Sequence, residues 1–337
     1  MEKYNYFMAL VFVLVGAGCG ADEGLIGSEN NGFDGEGGGV WSRVAPIGAG
    51  ARQEVAVVAV GRSIYVLGGF DASLQIVPSV EVYDVDADAW RTAAPMPVRA
   101  HHANAAAVEG KIYVVGFLVE RGFAPDGRVF VYDPAADGWS EGASMPTGTE
   151  RGASGVAAIG SKVYVAGGLR GGAVADLSAY DVGEDRWESL APMPSGVDHA
   201  TAQAFGGRLY VFGGRFRSLG SHVARVQIYD PAADAWGEGS PMPTSRAGLA
   251  SALLDGRVYV MGGEGNRSHP SGVFSDNEAY DPVSDRWEVV RPMLTRRHGT
   301  GAAAVGGRIW VPGGAAVEAF AAEAVHEVYT PEVVEAP

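Results

Sequence analysis

The chain has one cysteine, Cys19, among 337 residues. No internal disulfide can form and no thiolate cage can hold a metal, so the fold must close by other means. Positive charge is also scarce. Twenty-five Lys and Arg face forty Asp and Glu, a formal net charge of -15 with a pI near 4.9. Such an acidic surface repels nucleic acid and anionic lipid, which excludes polyanion binding by the chain as a whole. The apolar run near the N-terminus, Phe7 to Val15, falls short of the ~20 residues that a bilayer-spanning helix needs. No His-Glu-x-x-His zinc motif, nucleophile elbow or phosphate-cradling loop is present, so no motif announces a catalytic class.

What is present begins with an export segment. Lys3 precedes the apolar run, small residues follow it, and Cys19 closes it. Residues 1–18 therefore read as a signal peptide. The small-small-cysteine ending resembles the lipobox of bacterial lipoproteins, although Gly16 stands where that pattern has leucine. The resemblance implies lipid attachment at Cys19, contact with a membrane through that anchor only, and an extracytoplasmic place in the bacterial cell envelope, periplasmic or on the outer surface. A soluble secreted protein is the alternative. Residues 19–39 carry five acidic residues, eight glycines and no base. That composition cannot bury enough surface to order itself and predicts a flexible tether, with a reach of about 25 Å on Gly-rich scaling.

Fifty glycines beside 47% apolar residues point to many turns around a real core. From residue 40 the chain repeats at the spacing of four-stranded propeller blades. Each unit has a strand of small residues, a turn, and an Ile/Val-Tyr-Val strand ending in Gly-Gly. A variable loop, a strand ending in Tyr-Asp, a tight turn and a Trp follow. Gly68-Gly69, Gly167-Gly168, Gly213-Gly214, Gly262-Gly263 and Gly313-Gly314 mark five units, and Gly116-Phe117 marks another. Tryptophans 41, 90, 139, 187, 236 and 287 are the blade tryptophans. Small residues on the first strand, such as Ala105-Ala106-Ala107, suit the crowded axis of a propeller. The unit after Gly313-Gly314 has no tryptophan of its own, and Trp41 stands unmatched at the other end. The N-terminal strand is therefore expected to complete the sixth blade, which leaves no open edge.

This constellation resembles the kelch-repeat family. The resemblance implies an all-β, six-bladed β-propeller of four-stranded antiparallel blades over residues 40–330, with a short tail at 331–337. Relatives of this kind mostly act as binding modules. The expected function is thus an exported module that holds an envelope protein, a peptide or a glycan on its variable loop face. The chain is expected to be a monomer with no cofactor and no nucleic-acid partner. Exported kelch propellers also include sialic-acid mutarotases, so a sugar-acting enzyme is the alternative, needing an arginine for a carboxylate and an acid/base pair. A copper oxidase of the galactose-oxidase kind needs a cross-linked cysteine, which residues 40–330 lack.

Loops after Gly-Gly and connections between blades share one face of the disc, and these vary, whereas the turns on the other face are near copies. Variable loops on a rigid scaffold are where function sits. At the entry to the innermost strands, Arg52, Arg151, Arg246 and Arg297 occupy one register, with Arg99 one residue early and Val197 replacing it in the fourth blade. His102, His199 and His298 follow within two residues, beside His101. These arginines and histidines are the expected ligand-binding residues, a ring at the mouth of the central channel whose arginines bind an anion through planar forks. The competing reading has the arginines satisfying blade-end carbonyls and pairing with Glu54, Glu150 or Asp198. No metal site is expected: the histidines come from alternate blades, which should set them too far apart. The Asp-rich turns resemble calcium loops, but Asp caps tight turns by its own hydrogen bonds.

Overall fold

The computed structural model describes residues 38–332. The signal peptide, Cys19, residues 19–37 of the tether and the last five residues of the tail lie outside the described residues.

Each repeat folds as an antiparallel four-stranded sheet. In the first, Ala56–Val60, Ser63–Leu67, Val80–Asp84 and Ala89–Ala93 lie side by side in chain order. The middle two strands are buried on both faces and read as near-continuous apolar runs, while the outermost is largely exposed. A sheet covered on both faces demands that pattern, and here the covers are neighbouring sheets. Tyr65 and Leu67 of the first sheet pack with Ile112, Val114 and Tyr132 of the second. The innermost strands touch in a closed cycle, first to second and on to the sixth and back. Among the described residues this makes six blades around one axis.

The sixth blade is built from both ends of the described chain. Val40–Arg43 pairs with His326–Thr330, outside Arg308–Pro312 and Ala303–Val305. Trp41 is buried against Tyr329 with ring centroids 5.1 Å apart. The unmatched tryptophan thus does close the ring.

The repeated aromatics and acids form one joint, used at five of the six blade interfaces; at the sixth, Trp41 donates to the carbonyl of Arg291 and Tyr329 to that of Gly38, without an aspartate among the described residues. Trp90 donates its indole N–H to the carbonyl of Ala45 at 2.8 Å, while the amide of Ala45 donates to Asp88 at 3.0 Å. Tyr83 donates its hydroxyl to the same Asp88 carboxylate at 2.7 Å. The same triangle recurs at Tyr132, Asp137 and Trp139 on Ala94, and at Tyr229, Asp234 and Trp236 on Ala191. The other aspartate of each turn caps it: Asp133 accepts from the amide of Ala135, and Asp281 from those of Val283 and Ser284. Both aspartates of the turn are occupied by the fold's own hydrogen bonds.

Candidate functional site

Two neighbouring registers govern the channel mouth. The first is the arginine register. Arg151 donates to the carbonyls of Thr149, Val165 and Gly167 and to Ser178 Oγ. Arg246 donates to the carbonyls of Gly262, Val260 and Asp276, and to Glu278 at 2.6 Å. Arg297 repeats this with Gly313, Val325 and Glu327. Arg52 turns to Ser79 and its neighbour's carbonyl. All four are buried, whereas Arg99 is exposed and donates to the carbonyl of Ile76. The expected anion-binding arginine ring is therefore corrected. The buried guanidinium groups point back into their own blades, where a five-donor fork adds hydrogen bonds to carbonyls at the Gly-Gly end, some of them already bonded to backbone amides. Where Val197 replaces arginine, Gln227 of the same blade does similar work on Ser195.

The second register lies two residues further on and holds Glu54, His102, Ala153, His199, Gly248 and Gly299. All six have φ between 50° and 65°. Each amide donates to the carbonyl of the same position in an adjacent blade: Glu54 to Gly299, Gly299 to Gly248, Gly248 to His199, His199 to Ala153, Ala153 to His102, and His102 to Glu54, at 2.6–3.0 Å. A closed ring of six backbone hydrogen bonds thus encircles the axis. The left-handed conformation that this ring imposes is costly for side chains other than glycine. The chain nonetheless places Glu54, His102 and His199 there.

Above this ring opens a bowl of about 700 Å³, and below it runs a narrow channel of about 150 Å³ lined by innermost-strand residues such as Ala105 and Ala202. Phe123, Leu169, Leu219 and Phe320 make apolar walls, with Arg121 and Arg217 also on the lining. The floor is charged. His102 Nε2 lies 3.0 Å from a Glu54 carboxylate oxygen, and its Nδ1 meets His101 Nδ1 at 2.6 Å. Arg215 donates to Asp198 at 2.8 Å and Glu264 at 3.1 Å, with its third nitrogen 2.7 Å from His199 Nε2. His199 Nδ1 faces Asp198 at 2.7 Å. His298 Nδ1 sits 3.7 Å from Glu54 and 3.6 Å from Glu264.

These neighbours set the charges. Burial pushes the Glu54 carboxyl up, but His102, with His298 and His199 beyond it, pulls it well below the ordinary carboxylate value. Burial also raises Asp198, and His199 and Arg215 outweigh that to bring it down to about 2. Burial, with His102 beside it, pushes His101 down to about 3, and burial and Arg215 push His199 down. Arg215 loses by burial and gains more from Asp198 and Glu264.

His102, His199 and His298 therefore line one cavity, and the five arginines do not. Glu54, His102 and His199 offer ligand atoms all within 4.8 Å of one another. The expectation that histidines of alternate blades stand too far apart is also corrected: near the axis, small inner strands bring second-blade and fourth-blade rings to 4.7 Å between centroids. Sequence reasoning missed Arg215 and Glu264 as site residues. They follow the Gly-Gly pairs of the fourth and fifth blades, a position held elsewhere by Phe70, Leu118, Leu169 and Ala315, and that break in an apolar register was a readable signal.

The Kelch motif matches residues 51–97, 150–194, 198–243 and 245–294, more than half of the chain. The chain belongs to the kelch family. Among similar proteins, the kelch-like protein terF of Aspergillus terreus is 33% identical over 296 residues, 83% of this chain and 64% of terF. Kelch-like protein 23 of Homo sapiens is 28% identical over 82% of this chain and 39% of its own length. This kelch chain thus spans about two fifths to two thirds of these relatives. The solved structure of YjhT superposes with a TM-score of 0.71 at 15% identity, covering 84% of this chain and 96% of that one, a likeness of fold.

Proposed function

We propose that this kelch propeller is an exported, lipid-anchored binding module that seats part of a protein, peptide or glycan in the bowl at the channel mouth. One observation carries the reading: a 700 Å³ cavity on the variable-loop face, with apolar walls over a floor of opposed charges. Cavities of this size and mixed lining bury a compact group and orient it by a few polar contacts. The tether supports the orientation. Val40 lies beside Thr330, at the Tyr-Asp end of the sheets, whereas the bowl opens at the Gly-Gly end. A chain anchored through Cys19 would present its bowl away from the membrane.

The test is a ligand screen of the Cys19→Ser chain against peptides, envelope proteins and glycans, followed by Phe123→Ala and Phe320→Ala. Burying an aromatic at an interface centre is worth ~2 kcal/mol or more, so each variant is expected to weaken binding by more than tenfold. Ligands bound with full affinity by both variants would place recognition outside the bowl. Anomer exchange of an acidic sugar, accelerated by catalytic amounts of the chain, would favour the sugar-acting alternative instead.

A further inference from the structure

We infer that the floor of the bowl is a binding site for one first-row divalent metal ion, held by the Glu54 carboxylate and the Nε2 atoms of His102 and His199. The inference shares the bowl of the binding reading, but its test uses no organic ligand, so either can fail alone.

The hydrogen bonds orient the rings. His101 Nε2 donates to the carbonyl of Glu120 at 3.0 Å, since a carbonyl only accepts. His101 Nδ1 meets His102 Nδ1 at 2.6 Å, which turns His102 Nε2 toward a Glu54 carboxylate oxygen 3.0 Å away. His298 is set the same way: its Nε2 donates to the carbonyl of Val317, and its Nδ1 faces Glu54 and Glu264 with no hydrogen-bond partner among the described residues. Ring nitrogens aimed at carboxylates need a cation between them, and a metal ion can take that place.

The floor favours a cation. Glu54, Asp198 and Glu264 bring three carboxylates to a buried floor, against the one guanidinium of Arg215. Metal–nitrogen and metal–oxygen bonds of about 2.0–2.2 Å place adjacent ligand atoms about 3 Å apart, which is the spacing of His102 and Glu54.

The surroundings are those of a metal site. Each histidine has its Nδ1 held by a partner, Asp198 for His199 and His101 for His102, which fixes the ring and aims Nε2. Two imidazoles and one carboxylate suit zinc and ferrous iron, with open positions toward a ligand. Arg215 is the competitor. One of its nitrogens lies 2.5 Å from His199 Nδ1 and 2.7 Å from Nε2, and it must withdraw toward Asp198 and Glu264, its other partners, when the ion enters.

The full chain, stripped with chelator, is titrated with Zn²⁺ and separately with Co²⁺. About one ion per chain is expected to bind, and X-ray absorption of the Zn²⁺ form should show imidazole scattering from two histidines. Glu54→Gln, His102→Gln and His199→Gln should each weaken uptake by at least about tenfold, His269→Gln should not, and Arg215→Ala should strengthen it. The absorption spectrum needs no variant and so survives any that fails to fold. A stripped chain that takes up no stoichiometric ion would overturn the inference. So would zinc without imidazole neighbours, or uptake unchanged in all three variants.

Discussion

Two registers only two residues apart in the chain do opposite work. The arginine register repeats: Arg52, Arg151, Arg246 and Arg297 stand in four blades and turn into the sheets. The ring register repeats in backbone alone. Its six left-handed residues and six hydrogen bonds are regular, while its side chains are a glutamate, two histidines, an alanine and two glycines. A side chain that recurs blade after blade answers a need that every blade has. Where the backbone recurs and the side chains do not, the need is local to the axis.

The largest effect that would test this division comes from Arg246→Ala and Arg297→Ala. Each would strand a carboxylate, Glu278 or Glu327, that is at most 1% exposed. Breaking a buried pair from one side costs ~3–5 kcal/mol, and calorimetry should register it as a large fall in melting temperature. The double change Arg246→Met with Glu278→Leu should recover most of that loss. Arginine variants that melt normally but lose ligand would return the arginines to the site.

A second effect shows that an irregular residue can still be architectural. His326 stands where other blades have Val80, Leu177 or Val226, and its ring packs edge-on to Tyr83 with centroids 4.5 Å apart. Burial pushes it down to about 3, although the carbonyl of Ala45 pulls the other way. The unfolded chain then binds a proton that the folded chain refuses between about pH 6.5 and pH 3. Stability from this group is full above that window and is lost as pH falls through it, at about 1.4 kcal/mol per pK unit at most. His326→Phe should flatten the slope of denaturation midpoint against pH between 6.5 and 4. An unchanged slope would remove His326 from the account.

The smallest effect lies inside the ring itself. Ala153 has φ +54° and no charged partner. Ala153→Gly should relieve a left-handed cost of ~1–2 kcal/mol, less the ~0.5–1 kcal/mol that glycine's unfolded-state freedom takes back. A gain of a few tenths to about 1 kcal/mol in urea unfolding is expected. Destabilisation would mean that the ring does not strain its side chains.

Sequence by itself determined the blade count, the closing strand and the joints between blades. These rest on period and on residue types whose local chemistry is fixed: glycine for left-handed turns, aspartate for caps, tyrosine and tryptophan for large area with one polar end. It also placed His102, His199 and His298 near the mouth. It did not fix where the arginines turn. A guanidinium on a long stem reaches the axis or the blade interior equally well, and the carbonyls and carboxylates that choose between them converge only once the strands are paired. Nor did it bring Arg215 and Glu264 into the floor, since they lie far along the chain from Glu54 and His102. Only closure of the ring decided that, because six inner strands meeting at one axis turn residues some fifty positions apart into neighbours.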